Sequence, residues 1–312
     1  MCDMSNYGMM SDTDIRNAIQ ERELCITPFD VNDPDDKRLT PVGFNFSFSR
    51  FVVSLNHKTF FKIHEKDDKR YFNLEPGDTA VALTMESIWV SKNIGGTFHS
   101  KVGQVAHGLG HISTTLDPFW QGQLLISLNN PSKKSIEVTI AEFISGEWVS
   151  STFITLCMYR MATAASKPSD NKIARLDTLY DIVKKDAKTK EQWQVVNIVK
   201  DMLQFLKKQE KGINPGNSDV ATEEDMDKFV KGYAVVLEEW DKKYSEIQNL
   251  SGRVLLFKKL SNLLPIILAV LLFIVLVIVA ARQLSNDSFL IALMTLCSGI
   301  FGSVITIFWG KK

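Results

Sequence analysis

Side chains able to do chemistry concentrate in two stretches, His99–Gln104 (HSKVGQ) and Leu116–Ser127 (LDPFWQGQLLIS). The first combines an imidazole, a hydroxyl and an ammonium group. The second sets Asp117 close to Phe119 and Trp120, whose rings are candidate surfaces for stacking a nucleobase, although core packing explains an aromatic side chain equally well. Glycine lets a backbone approach a ligand closely, and five glycines lie around these stretches: Gly95, Gly96, Gly103, Gly108 and Gly110. They favour a ligand pocket, while tight turns in a β domain account for the same residues.

Three histidines, His99, His107 and His111, lie close enough in sequence to suggest a metal site. No cysteine or acidic residue accompanies them at an interval typical of zinc ligands. The chain has four cysteines without metal-ligand spacing: Cys2, Cys25, Cys157 and Cys297. These indicate free thiols in a reducing compartment, and we expect neither a metal nor another cofactor.

Several motifs follow one another in a fixed order over about half of the chain. They are an opening helix and strand at Ser11, Asp12, Asp14, Ile15 and Leu24, Ile26, Pro28, Phe29, a strand at Pro41–Phe48 (PVGFNFSF), a hairpin at Leu74, Pro76, Gly77 and Glu86, the segment His99–Gln104, and the turn at Asp117, Pro118, Trp120 and Gly122. In this order and spacing the chain resembles the dCTP deaminase branch of the dUTPase superfamily. The resemblance implies the fold of that branch, with symmetric oligomers, trimers or tetramers, that have pockets at subunit interfaces.

The chain departs from this family at the positions that carry the chemistry. The resemblance places the family's general base, a glutamate, at Ser127, and a serine hydroxyl cannot act as a base near neutral pH. It places the two arginines of the phosphate motif at His99 and Gln104, so the bidentate guanidinium grip is lost. An aspartate usual in the second family strand is Asn45. We therefore predict no catalytic residue and no deaminase or triphosphatase activity.

The same resemblance predicts a retained nucleotide-shaped pocket. Ser100 stands where the family has a serine, and Lys101 offers a point charge. The predicted ligand-binding residues are His99, Ser100, Lys101, Gly103, Gln104, Asp117, Trp120 and Gly122.

Local patterns predict an α+β chain in three parts. Residues 1–165 form an all-β barrel or sandwich head, because short β-branched and aromatic runs alternate with Pro-Gly, Gly-Gly and Asn-Asn-Pro signals; the one helix expected there is Asp12–Arg22. The runs are Phe51–Leu55, Ala80–Thr84, Leu124–Leu128, Ile136–Phe143 and Phe153–Met158. Residues 166–260 form a helical hairpin or stalk, whose first helix is broken near Ala187–Thr189 and whose second begins at a Thr222/Asp225 capping box.

Residues 261–312 form two transmembrane helices. Leu263–Ala281 and Phe289–Trp309 are apolar and close to the roughly 20 residues that cross a bilayer, and Arg282–Ser288 joins them. Lysines flank both outer ends, which places the N- and C-termini in the cytoplasm and the hairpin in the cell inner membrane. No signal peptide is visible at the N-terminus. A stripe of small residues packs helices or lines a pore: Thr295, Ser298, Gly299, Gly302, Ser303 and Thr306.

This layout resembles nucleotide-gated membrane effectors of bacterial anti-phage defence, of the Hailong or CBASS type. The leading hypothesis is a catalytically dead head that senses a nucleotide or short single-stranded DNA and gates an oligomeric pore, with a nucleotidyltransferase as functional partner. The alternatives are a membrane-bound deaminase or hydrolase with a relocated base, Glu86 or Asp117, and a membrane-anchored scaffold. Since Lys+Arg and Asp+Glu are both 36, bulk charge does not predict nucleic-acid binding.

Overall fold

The computed structural model describes residues 7–34, 36–110, 114–168, 175–210 and 220–245. The strands are β1 Gly8–Met9, β2 Leu24–Thr27, β3 Leu39–Thr40, β4 Gly43–Ser54, β5 Thr59–Phe60, β6 His64–Lys66, β7 Lys69–Leu74, β8 Thr79–Val90, β9 Ile94–Ser100, β10 Thr115–Leu116, β11 Gln121–Asn129, β12 Ile136–Ile144, β13 Glu147–Ser150 and β14 Thr152–Arg160. The helices are α1 Asp12–Gln20, α2 Val102–Ala106, α3 Leu176–Lys184, α4 Lys190–Glu210, and α5 over residues 223–245.

Two antiparallel sheets enclose the main core. The larger sheet has the order β10-β9-β14-β4-β8-β11, with β1, β2, β3 and β5 attached to it, and the smaller has the order β13-β12-β7-β6. Phe48 of β4 stacks on Phe153 of β14 with ring centroids 3.9 Å apart and meets Phe72 of β7 edge to face. All three rings are buried in one cluster with Val138 of β12, so the core lies between the sheets. The fold is therefore mostly β, as the sequence predicts.

The central strands β4 and β8 are buried on both faces, which explains their nearly continuous apolar sequences. Their inward side chains join the main core. Their outward side chains form a second cluster with the apolar stripes of the three C-terminal helices: Phe51, Val53, Val81, Leu83, Leu176, Leu179, Val183, Val195, Val196, Val199, Met202, Leu203, Val236 and Trp240. The helices thus lie on the sheet, and Met1–Tyr244 forms one compact unit.

The structure confirms most of the predicted elements. Each predicted strand run falls on an observed strand, and the gap between α3 and α4 falls where the helix break is predicted. Thr222 Oγ1 accepts from the Asp225 amide at 3.1 Å, and the Thr222 amide donates to the Asp225 carboxylate at 3.1 Å, so the capping box is confirmed. The prediction of a single helix in the head is wrong, because α2 follows β9. This helix has only five residues and lacks the apolar periodicity by which helices are recognised.

Within the described residues no helix combines the length and the hydropathy needed to cross a bilayer. Both predicted spans, Leu263–Ala281 and Phe289–Trp309, lie outside those residues, as do the stripe residues Thr295, Ser298, Gly299, Gly302, Ser303 and Thr306.

Candidate functional site

The segment predicted to hold phosphate runs from the end of β9 into α2. His99 lies on β9 opposite Thr155 of β14, and its Nε2 shares a hydrogen bond of 2.9 Å with Thr97 Oγ1. Lys101 precedes the first residue of α2 and makes no side-chain cap. Its Nζ donates instead to Thr152 Oγ1 on β14 at 2.5 Å. The charge that was predicted to meet phosphate therefore contacts a hydroxyl group on β14. Partial burial lowers the pKa of Lys101.

Val102 and Val105 of α2 are exposed, and Gly103 between them has open space where a Cβ would stand. Gln104 lies on the same helix and is half-buried. The segment after α2 then returns to β11, where Gly110 and Asn129 exchange backbone hydrogen bonds of 2.8 and 3.0 Å. The segment that follows α2 is therefore hydrogen-bonded to β11 at Asn129, two residues from Ser127.

The turn before β11 depends on two left-handed residues. Phe119 has φ of 64° and Gly122 has φ of 115°. A phenylalanine in this region is strained, whereas glycine is not. Trp120 is buried and its Nε1 donates to the Gly122 carbonyl at 3.3 Å. Of the candidate stacking rings, Trp120 therefore serves the core, and half-buried Phe119 stays nearer the surface.

Ser127 lies on β11 opposite Val81 of β8, between the buried residues Ile126 and Leu128. Alternation along the strand turns its hydroxyl away from the core, and the residue is exposed. An exposed hydroxyl can exchange hydrogen bonds with a ligand or water but has no basicity to activate water.

The buried carboxyl group in this region belongs to Glu86. Its side chain is 0% exposed and accepts from Arg38 Nη1 at 2.9 Å and from the Ser47 amide at 2.9 Å. Arg38 also pairs with Asp36 at 2.5 Å. Burial raises the pKa of Glu86, against the opposing effects of the Ser47 amide and the Arg38 guanidinium. Glu86 thus holds β8 to β4 and to the segment before β3.

Sequence reasoning missed the polar groups behind the predicted site. Arg38, which pairs with Glu86, and Gln123, which bonds to both β8 and α5, carry no motif. The predicted aspartate position, Asn45, accepts from Thr155 Oγ1 at 2.7 Å and so links β4 to β14. Among described residues no group of three His, Cys, Asp or Glu is placed to hold a metal, and His111 lies outside them.

The strands that carry this arrangement match a known domain. Residues 9–142 match the dCTP deaminase-like family model. The chain is 25% identical over 169 residues to the dUMP-forming dCTP deaminase of Corynebacterium glutamicum strain R, covering 51% of this chain and 85% of that protein. It is 23% identical over 171 residues to the dUMP-forming dCTP deaminase of Tropheryma whipplei strain Twist, covering 50% of this chain and 80% of that protein.

Among solved structures, the dCTP deaminase of Agrobacterium tumefaciens aligns with a TM-score of 0.36 and 14% identity, over 50% of this chain and 47% of that one. The dCTP deaminase-like region, as the family model delimits it, contains α1, the strands from β2 into β12 and all eight predicted ligand-binding residues. The helices α3, α4 and α5 lie beyond it.

Proposed function

We propose that the dCTP deaminase-like domain binds a nucleotide without deaminating it. Exposed Ser127 carries this proposal, because it stands at the position where the resemblance places the general base. Glu86, the first candidate for a relocated base, is buried and fully engaged. Asp117, the second, belongs to the turn before β11, where its carboxylate accepts from Thr115 Oγ1 at 3.4 Å. The burial of Glu86 disfavours the alternative of a deaminase or hydrolase that uses Glu86 as the relocated base.

The proposed ligand is a deoxynucleotide or a short single-stranded DNA that contacts His99–Gln104 with its phosphate. The relatives in Corynebacterium and Tropheryma are named for dCTP, which makes dCTP the first ligand to test. Homo-oligomerisation belongs to the proposal, because exposed Val102 and Val105 would be covered by a second copy.

Lys101→Glu should weaken dCTP binding by about 1 to 3 kcal/mol, since it replaces a charge-assisted contact with repulsion. Isothermal titration calorimetry measures the change, with dUTP and short DNA oligomers titrated in parallel. Lys133→Glu is the matched control, because Lys133 is an exposed lysine outside the predicted site and the same charge reversal should leave affinity unchanged. Absence of binding by the parent protein to all these ligands would favour the scaffold.

The effect of the protein on the membrane is proposed from its sequence. Two apolar segments of the length of a bilayer follow the head, so we propose a membrane effector of anti-phage defence, with a cytoplasmic head and an oligomeric pore in the inner membrane. A nucleotidyltransferase would supply the ligand. One hairpin has too few helices to enclose a pore, and an oligomeric head would gather several.

Production of the full chain in bacteria should collapse the membrane potential in one ligand state, either with or without the nucleotide source. Gly302→Leu should abolish the effect without preventing insertion, because leucine is favourable in lipid but too bulky for close helix contact. A potential-sensitive dye reports the result. Ile267→Leu is the control, because it introduces the same side chain outside the stripe. Normal potential in both states, with the protein recovered in membranes, would exclude the pore.

A further inference from the structure

Helix α5 is attached to the domain by two different kinds of contact. At its start the Ala221 amide donates to the Arg22 carbonyl at 3.0 Å, and Arg22 Nε donates to the Ala221 carbonyl at 3.1 Å. About two turns further, Phe229 packs on Trp89 of β8 beside Cys25 of β2. These contacts tether the beginning of the helix to the sheet.

Further along α5, Trp240 reaches a buried hydrogen-bond chain. Its Nε1 donates to Gln123 Oε1 at 2.9 Å, and Gln123 Nε2 donates to the Thr84 carbonyl at 2.8 Å. Gln123 is 4% and Trp240 8% exposed. Phe51 of β4 also packs against Trp240, with the two ring centroids 4.6 Å apart.

This chain of hydrogen bonds lies at an irregularity in the pairing of β8 and β11. Gln123 is paired with Ser87 and Leu125 with Leu83, so β8 has three residues, from Thr84 to Glu86, where β11 has only Leu124. Such a bulge leaves ladder groups unpaired, and the Gln123 side chain supplies a donor to one of them. Trp240 in turn satisfies the carbonyl of the Gln123 side chain. The seating of α5 therefore fixes the Gln123 side chain that bridges β11 and β8 at this irregularity.

A buried hydroxyl group on α5 opposes the packing of this helix on the sheet. The Tyr233 hydroxyl is buried with no hydrogen-bond partner among the described residues, and the whole residue is 4% exposed. Burial, followed by the charge of Glu86, raises the pKa of this phenol. An unsatisfied buried hydroxyl favours the state in which water reaches it. Helix α5 is thus held by Trp240 and weakened by Tyr233.

We propose that α5 is a latch, seated on β8 and β11 through the Trp240–Gln123 hydrogen bond, whose release is coupled to nucleotide binding at the Gly122–Ser127 strand. The coupling is reciprocal and its sign is positive. A seated helix holds this strand ordered, so a nucleotide that binds the ordered strand stabilises the seated helix, and its departure lets the helix leave. By linkage, loosening the latch weakens nucleotide binding. This coupling rests on the proposed nucleotide function, whereas the latch itself rests on the contacts alone.

Hydrogen–deuterium exchange of the full chain in detergent measures latch opening directly, as exchange of the amides in residues 223–245. Alkylation of Cys25, followed by peptide mass spectrometry, measures it independently. Cys25 is partly exposed and packs against the start of α5, and burial raises the pKa of its thiol to about 12, so its alkylation should speed up when α5 leaves. Both measurements are made without ligand and with dCTP.

Trp240→Phe and Gln123→Met should each speed exchange of α5 by about 5- to 100-fold, because each leaves buried polar groups unpaired. Tyr233→Phe should slow it by about 5-fold or more, since it removes the unsatisfied hydroxyl. Trp193→Phe, at an exposed tryptophan on α4, is the matched control and should change nothing. In the parent protein dCTP should slow exchange, and Trp240→Phe should bind dCTP about 5- to 100-fold more weakly.

The results separate the latch from the proposed function. Equal exchange in the parent protein, Trp240→Phe and Tyr233→Phe would overturn the latch, whatever the nucleotide does. Opposite shifts in the two variants, with dCTP affinity unchanged by Trp240→Phe, would overturn the coupling. If the parent protein binds no nucleotide, the proposed function fails, and the opposite shifts of the two variants alone decide whether α5 is a latch.

Discussion

Purified protein is expected to release ammonia from dCTP at a rate about 10²- to 10⁴-fold below that of a dCTP deaminase, because a side chain that can remove a proton from water is missing at Ser127. Hydrolysis of dUTP should be equally slow. Ammonia release and chromatographic separation of the nucleotide products measure both reactions, with and without magnesium. The deaminase of Corynebacterium glutamicum serves as the positive control.

Restoring the carboxylate should not restore the reaction. Ser127→Glu places a base on the exposed face of β11, but His99 and Gln104 still provide no bidentate grip on phosphate. The triple variant that adds His99→Arg and Gln104→Arg to Ser127→Glu tests the reaction further, since it restores the base and both arginines and leaves Asn45 as the remaining departure. Parent turnover within about tenfold of the control enzyme, well inside the loss expected for a missing base, would contradict the proposed function.

Arg38→Leu is expected to destabilise the domain by about 3 to 5 kcal/mol, because it leaves the Glu86 carboxylate buried without a counter-ion. Urea denaturation followed by tryptophan fluorescence measures the free energy of unfolding. Arg50→Leu is the matched control. Its ion pair with Asp241 is exposed and 3.9 Å long, so the loss there should stay within about 1 kcal/mol.

The pH dependence of the Arg38→Leu variant identifies the cause. Without Arg38, burial raises the pKa of Glu86 still further above its unfolded value, for which 4.5 is the reference. Stability that depends on the protonated carboxyl is fully present below that value and is lost as the pH rises through the folded pKa. The deficit should therefore be smallest in acid and largest near neutrality. Adding Glu86→Gln should recover part of it, and a deficit independent of pH and unaffected by Glu86→Gln would assign the loss to packing.

The candidate site was predictable where neighbouring residues decide the geometry. The resemblance indicated the turn at Asp117, Trp120 and Gly122, and the apolar run Leu124–Leu128 predicted the strand that carries Ser127. The orientation of Lys101 was not predictable in this way. Its ammonium group bonds to Thr152, which lies 51 residues further along the chain.

The sequence by itself determined the predicted strand runs, the break between α3 and α4 and the cap at Thr222. These features follow from periodicity, turn chemistry and spacing, all of which act over a few residues. Only the tertiary structure decided that Glu86 is a buried partner of Arg38 and that the helical stripes cover the outer face of β4 and β8. It also brought Trp240 to Gln123, 117 residues away in sequence. An amphipathic pattern shows that a face will be buried, but the partner is chosen by the shape and unpaired polar groups of a surface that exists only after the sheet has formed.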